Sequence, residues 1–186
     1  DAKREEVVLA GLGGLLHDLG KIKIPTHIIN NSGKHDEEQF NMIKKHPRFG
    51  FDLISKSKID CPGVDFEVVQ RIVYEHHENF NGTGYPEGLE GDEIHLLARI
   101  TAIADFFDAI TTKRSYHEAL SPEDALAVMA KSVGKKIDPE LFEVFKKSIS
   151  LVVEKTINKE LPDDFDPCQP HDVLPFKASS AKVDQA

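Results

Sequence analysis

Apolar residues recur at intervals of three and four residues through most of this chain, and that spacing constrains its fold more than any other feature. In the first segment, Leu12, Leu15, Leu16 and Leu19 follow the spacing that places side chains on one face of an α-helix. No segment alternates between apolar and polar residues as a half-buried β-strand does. The sequence therefore predicts an all-α fold, a multi-helix bundle with one domain and no internal repeat.

Seven helices are expected from this spacing and from capping signals. The clearest begins at Ser121, which is followed by Pro122 and two acidic residues, a combination typical of a helix N-terminus. Asp36 and Gln39 have the spacing of a capping box, and Pro47 is expected to end the helix that they begin. The predicted helices cover residues 5–19, 36–46, a short stretch after Pro47, 65–77, 93–111, 121–134 and 138–157.

The first predicted helix contains Gly11, Gly13 and Gly14, and each glycine costs about 1 kcal/mol of helix propensity against alanine. Such a cost is tolerable where another helix packs closely against the glycines. We therefore expect a close helix contact in this segment, and we expect Gly20 to end the helix.

The residues from Leu161 onward include prolines and small polar residues and show no periodic apolar face. We expect residues 1–158 to form the helical domain and residues 159–186 to be an extended or disordered tail. The chain begins at Asp1 without a methionine, which suggests a processed chain or a piece of a longer one.

The formal net charge of −9 argues against a broad surface for DNA or for an anionic membrane, because both need clustered Lys and Arg. A small anionic substrate stays compatible with this charge, since bound metal ions can reverse the local potential. No apolar run approaches the roughly 20 residues of a membrane helix. The two cysteines, Cys61 and Cys168, have no recognised spacing, so a reduced, cytoplasmic chain is expected.

Six residues with metal-ligand side chains lie near predicted helix ends or close to apolar helix faces. A polar group on a core face is costly unless it is paired or binds a metal, and helical bundles can gather such groups around a buried metal centre. Six candidates are too many for one tetrahedral zinc ion, whereas mixed imidazole and carboxylate ligands suit two ions such as iron or manganese, bridged by an aspartate. The candidates are His17, Asp18, His46, His76, His77 and Asp105.

Each of these histidines, taken alone, also fits an ordinary core or surface role. The adjacent pair His76-His77 is more informative, because neighbouring helical positions point about 100° apart and can address two ions. The ordered set is more specific still: it runs HDLGK, then His46-Pro47, then HHE, then GTGYP, then Asp105.

This ordered set resembles the HD-GYP domain, the branch of the HD superfamily that carries an HHE…GYP signature, over residues 5–148. HDLGK is similar to its HD motif, KKHPRFG to its second histidine block, HHENFNGTGYPEGL to its signature loop and RITAIADFFDAITTKRSY to its aspartate helix. The resemblance implies an all-helical bacterial phosphodiesterase that hydrolyses cyclic di-GMP to pGpG or GMP. It also implies two or three divalent metal ions, iron or manganese, as cofactors.

The resemblance further implies roles for individual residues. All six candidates above would bind metal, and Lys21 would lie over the metal centre and help with the scissile phosphate. His117 stands where the family has a lysine, which predicts weaker and pH-dependent binding of the ligand. The catalytic residues would be Asp18 and Lys21, and the substrate-binding residues would be Gly84, Tyr85, Arg114 and His117.

The signature loop (residues 76–89) would form the pocket wall. Gly82 and Gly84 allow positive φ and a close approach of the backbone to a phosphate or base. Tyr85 offers a ring for a guanine and a hydroxyl for a phosphate. Glu78 is expected either to orient a ligand histidine or to be exposed.

Two alternatives stay open. Family members usually carry a further helix with a histidine before the HD motif, and that helix would precede Asp1. The chain would then be a weakly active or inactive module that binds cyclic di-GMP or a protein partner, such as a diguanylate cyclase of the GGDEF type or an upstream sensory or receiver domain. A phosphohydrolase of the wider HD superfamily that acts on another nucleotide is the second alternative.

Overall fold

Helices form the regular structure of the chain. The computed structural model describes residues 3–31, 33–57, 61–113 and 119–157, of which 151–157 are described by their backbone alone. Over these ranges only isolated β-bridges occur, from Asn81 to Glu90 and from Val133 to Ile137, so the predicted all-α fold is confirmed. The α-helices are α1 (Arg4–Leu16), α2 (Thr26–Ile29), α3 (Glu37–Ile43), α4 (His46–Lys56), α5 (Phe66–Glu75), α6 (Leu96–Thr111), α7 (Pro122–Ala130) and α8 (Pro139–Ile157), and the 3-10 helices are η1 (Leu19–Lys23) and η2 (Gly91–Glu93).

The capping signals of the sequence are present in the structure. Asp36 accepts a hydrogen bond from the backbone N–H of Gln39 at 2.8 Å, and the Gln39 side chain accepts one from the backbone N–H of Asp36 at 3.3 Å. The Ser121 hydroxyl accepts a hydrogen bond from the backbone N–H of Asp124 at 3.1 Å. These contacts satisfy N–H groups that have no intrahelical partner, and α3 and α7 therefore begin where the sequence predicted.

Several predicted helix ends are wrong, and the sequence did not predict α2. The helix predicted to reach residue 134 ends at Ala130. Pro47 does not end the second predicted helix, because α3 ends at Ile43 and α4 begins at His46 with Pro47 in its first turn. A proline fits there, since the first N–H groups of a helix need no intrahelical acceptor. Gly20 does not end α1, which ends at Leu16, but lies inside η1.

Two clusters of buried apolar side chains hold the helices together. The first joins α1, α4 and α5, with Ile54, Val69 and Val73 at its centre. The second joins α6, α7 and α8 and contains Ile103 and Met129. Full burial of one such side chain contributes roughly 1.5–3 kcal/mol. The chain divides into two units, residues 1–150 and 151–186, and both clusters and the site described below lie in the first.

Two glycines let the first helices approach each other closely. A Cβ on Gly13 would lie 2.5 Å from Cδ1 of Ile72, so α1 meets α5 here as predicted. A Cβ on Gly20 would overlap the backbone carbonyl of His46, so η1 lies directly on the start of α4. At the other two glycines of α1 a Cβ would meet nothing within 4 Å. The missing side chains at Gly13 and Gly20 therefore set how closely α1, η1, α4 and α5 pack.

Some predicted features lie outside the described residues. These are the substrate contacts Arg114 and His117 and the tail over residues 159–186. Helix α8 reaches Ile157 as predicted, while the domain boundary at residue 158 stays a prediction.

Candidate metal centre

The six candidate ligands come from the ends of three helices and from the middle of a fourth. The close packing of α1, η1, α4 and α5 brings these helix ends together. The ligands are His17 and Asp18 after α1, His46 at the start of α4, His76 and His77 after α5, and Asp105 within α6.

Four of the candidates form a compact group, which we call the first group. It consists of Asp18, His46, His76 and His77, and one ligand atom from each lies within 4.8 Å of the other three. The Nε2 atom of His46 is 3.3 Å from Oδ1 of Asp18 and 3.2 Å from Nε2 of His76. His46 and His76 are each only 1% exposed, whereas the Asp18 side chain is 36% exposed, so the first group is buried on its histidine side and open to solvent at Asp18.

Asp18 also faces His17 through its other carboxylate oxygen, and His17 in turn faces Asp105. The Nε2 atom of His17 is 3.4 Å from Oδ2 of Asp18 and 3.6 Å from Oδ1 of Asp105. We call these three residues the second group. Asp18 therefore presents Oδ1 to the first group and Oδ2 to the second, which is the arrangement expected of a carboxylate that bridges two ions.

Backbone carbonyls fix the protonation of three imidazole rings. The Nδ1 atoms of His17, His46 and His76 lie 2.6, 2.8 and 2.8 Å from the carbonyl oxygen of the residue three positions earlier. Because a carbonyl oxygen can only accept, Nδ1 carries the proton, and a neutral ring presents the lone pair of Nε2 to the centre. Metal-binding histidines commonly make such a second contact, which orients the ring.

The acceptor atoms of the first group repel one another unless a cation lies among them. The Nε2 lone pairs of His46 and His76 face each other at 3.2 Å, and Oδ1 of Asp18 is buried without a hydrogen-bond donor. Buried acceptors without a donor are costly. Two nitrogens that bind one ion at about 2.1 Å lie about 3 Å apart when their bonds meet at right angles. The residues therefore fit a divalent cation that accepts nitrogen and oxygen ligands.

Burial keeps the imidazoles of the first group neutral. It lowers the pKa of His46, places the pKa of His76 well below its ordinary value and lowers the pKa of His77 to about 3. Repulsion between neighbouring rings adds to the lowering of the pKa at His76 and His77. Since the neutral ring is the form that binds a metal, these nitrogens are available as ligands at neutral pH.

His17 behaves differently because it lies between two carboxylates. Burial lowers its pKa, but hydrogen bonds to Asp105 and Asp18 outweigh burial and raise the pKa to about 10. Burial, the largest single influence, raises the pKa of both carboxyl groups, but the opposing interactions, chiefly with His17 and at Asp18 also with Lys21, together lower each pKa below its ordinary value. The second group thus requires positive charge, which either a proton on His17 or a metal cation can supply.

Lys21 lies at the edge of the centre, as the resemblance implies. Its Nζ atom donates to Oδ2 of Asp18 at 2.5 Å, and its side chain is 41% exposed. The 3-10 helix η1 fixes its backbone, because the N–H of Lys21 donates to the carbonyl of Asp18 at 2.9 Å. The ammonium group is therefore held beside the ligands, with its solvent side open to an anion.

The signature loop places Tyr85 against His77. Their ring centres are 4.9 Å apart with an angle of 32° between the ring planes, and the backbone N–H of Tyr85 donates to the carbonyl of His77 at 3.2 Å. Burial raises the pKa of the phenol. The hydroxyl therefore stays protonated at neutral pH and can donate a hydrogen bond to a ligand.

The signature loop needs glycine at positions 82 and 84 for two different structural reasons. Gly82 has a φ of 74°, in the left-handed region that its missing side chain allows, whereas Gly84 has no positive φ. A Cβ on Gly84 would instead lie 2.5 Å from Cα of Glu78. Gly84 thus lets the loop fold directly onto the backbone at Glu78 and Asn79, and its predicted contact with substrate stays a prediction.

Glu78 has a role that sequence reasoning missed. Its side chain is only 4% exposed, and its carboxylate accepts hydrogen bonds from the backbone N–H groups of Glu87, Gly88 and Leu89 at 2.7 to 3.1 Å. These hydrogen bonds hold the end of the signature loop. The available signal was an acidic residue directly before a glycine-rich loop, whose N–H groups need acceptors.

A cavity of about 540 Å³ opens beside His76 and His77. Its volume is within the range found for sites that bind small molecules. Ligand side chains of the centre and residues of the signature loop share its wall. The metal centre and the loop therefore belong to one site. The lining includes His76, His77, Asp105, Asn79, Thr83 and Tyr85.

The fold and the centre together define a class of protein, an all-α domain in which helix ends bring histidines and aspartates together beside a cavity of ligand size. Residues 2–141 match the family model described as the HD domain. The chain therefore belongs to the HD domain family, and the predicted family is confirmed.

Relatives of the chain include several phosphodiesterases. A cyclic di-GMP phosphodiesterase of Pseudomonas aeruginosa is 39% identical over 142 residues, which cover 76% of this chain and 33% of that protein. The cyclic di-GMP phosphodiesterase response regulator of Xanthomonas campestris is 42% identical, over 73% of this chain and 35% of that protein. The 3′3′-cGAMP-specific phosphodiesterase 3 of Vibrio cholerae is 36% identical, over 76% of this chain and 29% of that protein. The chain thus spans about a third of the length of these relatives.

A solved structure shows the same fold. The crystal structure of a cyclic GMP-AMP-specific phosphodiesterase of Vibrio cholerae matches 85% of this chain and 44% of that chain, with a TM-score of 0.57 and 18% sequence identity. Over the part of the chain that the structure describes, no helix combines the length and the apolar character needed to cross a bilayer.

Proposed function

We propose that this chain is the catalytic domain of a metal-dependent phosphodiesterase that hydrolyses cyclic di-GMP. The observation that carries the proposal is the position of Asp18, which presents one oxygen to each of two ligand groups beside a cavity of ligand size. The names of the relatives support cyclic dinucleotides as the class of substrate.

The two ligand groups would hold two divalent ions, with Asp18 shared between them. Iron or manganese fits the mixture of imidazole and carboxylate ligands, and a third ion is compatible with the family resemblance. Bound there, such ions supply Lewis acidity to a phosphoryl oxygen and lower the pKa of a coordinated water. The neutral imidazoles of His46, His76 and His77 are in the protonation state that this requires.

Four residues would contact the phosphates or position the nucleotide. The Lys21 ammonium, held by Asp18 at 2.5 Å, would neutralise charge that develops on the phosphoryl oxygens. The protonated Tyr85 hydroxyl would donate a hydrogen bond to phosphate or base, and its ring beside His77 would contact a guanine. Arg114 and His117, outside the described residues, are proposed on the family resemblance to hold the nucleotide phosphates.

Hydrolysis breaks one bond from phosphorus to a 3′ oxygen and adds a water across it. The first cleavage opens the ring of cyclic di-GMP to the linear dinucleotide pGpG, and a second cleavage releases GMP. We further propose a cytoplasmic enzyme of bacterial signalling, joined to a sensory or receiver domain or paired with a diguanylate cyclase of the GGDEF type. The free, exposed thiol of Cys61 supports a reducing compartment.

Turnover by metal-loaded protein tests the proposal. The chain is loaded anaerobically with Fe(II) or Mn(II), incubated with cyclic di-GMP or with 3′3′-cGAMP, and the products are separated by chromatography. We expect pGpG or GMP from cyclic di-GMP, loss of turnover in His76→Ala, and retention of turnover in His27→Ala, which changes an exposed histidine. Metal-loaded chain that leaves both cyclic dinucleotides intact would overturn the proposal, and cleavage of 3′3′-cGAMP alone would reassign the substrate.

A further inference from the structure

Two lysines from separate elements line the same cavity as the metal centre. Lys44 follows α3, and Lys136 lies in the segment between α7 and α8. Lys44 lies in the KKHPRFG segment and Lys136 lies outside the quoted motifs, and the family resemblance assigns neither lysine a metal or phosphate role. They are two cationic residues on one cavity wall in a chain whose formal net charge is −9.

The Lys44 ammonium is held by a contact that leaves its charge uncompensated, and the backbone of Lys136 is fixed by hydrogen bonds. The Nζ atom of Lys44 lies 5.1 Å from the centre of the Phe40 ring, a cation–π contact that positions the ammonium without neutralising it. The backbone of Lys136 donates to the Ser132 carbonyl at 2.9 Å and accepts from the N–H of Phe80 at 3.2 Å. Among the residues that the structure describes, no carboxylate forms an ion pair with either ammonium.

The carboxylates on the cavity wall are already engaged elsewhere. Glu78 accepts hydrogen bonds from three backbone N–H groups of the signature loop, and Asp105 faces His17 at 3.6 Å. The two lysines therefore give this cavity a positive wall that is separate from the metal ligands. Such a wall favours an anionic ligand.

We propose that Lys44 and Lys136 bind the second phosphate of a cyclic dinucleotide, the phosphate that is not being cleaved. This inference rests on the proposed function. A cyclic dinucleotide carries two phosphodiester groups in one ring, and each bears a negative charge. When one phosphate lies at the metal centre, the other enters the same cavity, where an uncompensated charge would be costly. Lysine suits this task because its ammonium acts as a compact point charge.

Neighbouring lysines provide matched controls. Lys44→Gln and Lys136→Gln remove the two charges, whereas Lys45→Gln and Lys135→Gln remove exposed charges one position away that do not line the cavity. Two properties are measured on the metal-loaded chain: the dissociation constant of a slowly cleaved phosphorothioate analogue of cyclic di-GMP, and kcat and KM for two substrates. The substrates are cyclic di-GMP and bis(4-nitrophenyl) phosphate, which has one phosphate only.

If the two lysines bind the second phosphate, their loss should weaken the binding of cyclic dinucleotides but not of a substrate with one phosphate. Each cavity variant should weaken analogue binding and raise the KM for cyclic di-GMP about tenfold, the effect of losing one charged hydrogen bond. The kcat for cyclic di-GMP and the kcat/KM for bis(4-nitrophenyl) phosphate should stay within about twofold of the parent, as should all values for the controls. Higher salt should weaken analogue binding less in the cavity variants than in the parent.

Two results would overturn the subsite. In the first, the cavity variants match the controls. In the second, they lose activity equally toward both substrates, which would place the lysines at the cleaved phosphate. If the parent binds the analogue but cleaves no cyclic dinucleotide, the proposed function fails while selective weakening in the variants still supports the subsite. If the parent does not bind the analogue at all, both proposals fail.

Discussion

The Nε2 atoms of His46 and His76 face each other at 3.2 Å, while Nδ1 of each ring donates to a backbone carbonyl. Because both Nε2 atoms then carry lone pairs, a cation beside them removes a repulsion that the fold would otherwise contain. This pair links the stability of the helical domain to metal binding.

Metal removal should therefore lower the Tm of the chain. A ligand that binds only the folded state stabilises it by about 2.7 kcal/mol at a concentration 100 times its Kd. Thermal unfolding after chelation with EDTA, and again after addition of Mn(II), measures this increment. His76→Ala should lose most of the increment and His27→Ala should keep it. A parent chain whose Tm does not respond to Mn(II) would contradict the link.

Gly20→Ala should destabilise the domain, because its new methyl group would overlap the backbone carbonyl of His46. Overpacking of this kind typically costs about 1–3 kcal/mol. Gly11→Ala is the matched control, since a Cβ there meets nothing within 4 Å and alanine should stabilise α1 by about 0.5–1 kcal/mol. Urea unfolding of both variants measures the two free energies. Equal effects would show that the contact between η1 and α4 does not limit packing.

Glu78→Ala should loosen the signature loop without emptying the metal centre. Three backbone N–H groups lose their acceptor, which costs about 1–3 kcal/mol of unfolding free energy. Displacement of Tyr85 should lower kcat/KM for the proposed substrate by roughly tenfold or more. The bound metal, measured by elemental analysis, should not change. Glu87→Gln, which alters a loop carboxylate without removing these acceptors, is the control, and a Glu78→Ala chain with parental kcat/KM would refute the role.

The metal-free chain should lose stability as the pH falls below about 6.5. The folded-state pKa values of His46, His76 and His77 lie below the ordinary value of 6.5, so the unfolded chain takes up protons there that the folded chain does not. Each such proton lowers the free energy of unfolding by about 1.4 kcal/mol per pH unit. For His77 this continues until the pH nears 3.

His17 contributes with the opposite sign. Because its pKa is raised to about 10, its contribution is complete below pH 6.5 and is lost as the pH rises from 6.5 to 10. Urea unfolding of EDTA-treated chain from pH 5 to 9 should therefore show a maximum near neutral pH. His77→Gln should reduce the slope on the acidic side only. A slope that is unchanged in this variant would contradict the buried, neutral state of His77.

The fold was largely predictable, because helix periodicity and caps are local properties of the sequence. Asp36 and Ser121 cap α3 and α7 as predicted, and the all-α class follows from the same spacing. Pro47 was misplaced because proline disfavours helix before it but fits the first turn of a helix after it, and one sequence signal serves both outcomes.

The sequence predicts which residues could form the site but does not predict their geometry. The order of histidines and aspartates along the chain is visible in the sequence, whereas the two faces of Asp18 depend on how α1 and α4 pack. Glu78 was misjudged for the same reason, since the loop folds back on itself over a distance that local patterns do not encode.

Metal stoichiometry tests the central claim most directly, that Asp18 joins two ligand groups in one centre. Elemental analysis of chain reconstituted with Mn(II) should give at least two ions per chain. Asp105→Ala removes a ligand of the second group alone and should lower the value by about one, whereas Asp18→Ala should disturb both groups and His27→Ala neither. One ion or fewer in the parent, or the same content in all four proteins, would contradict the shared centre.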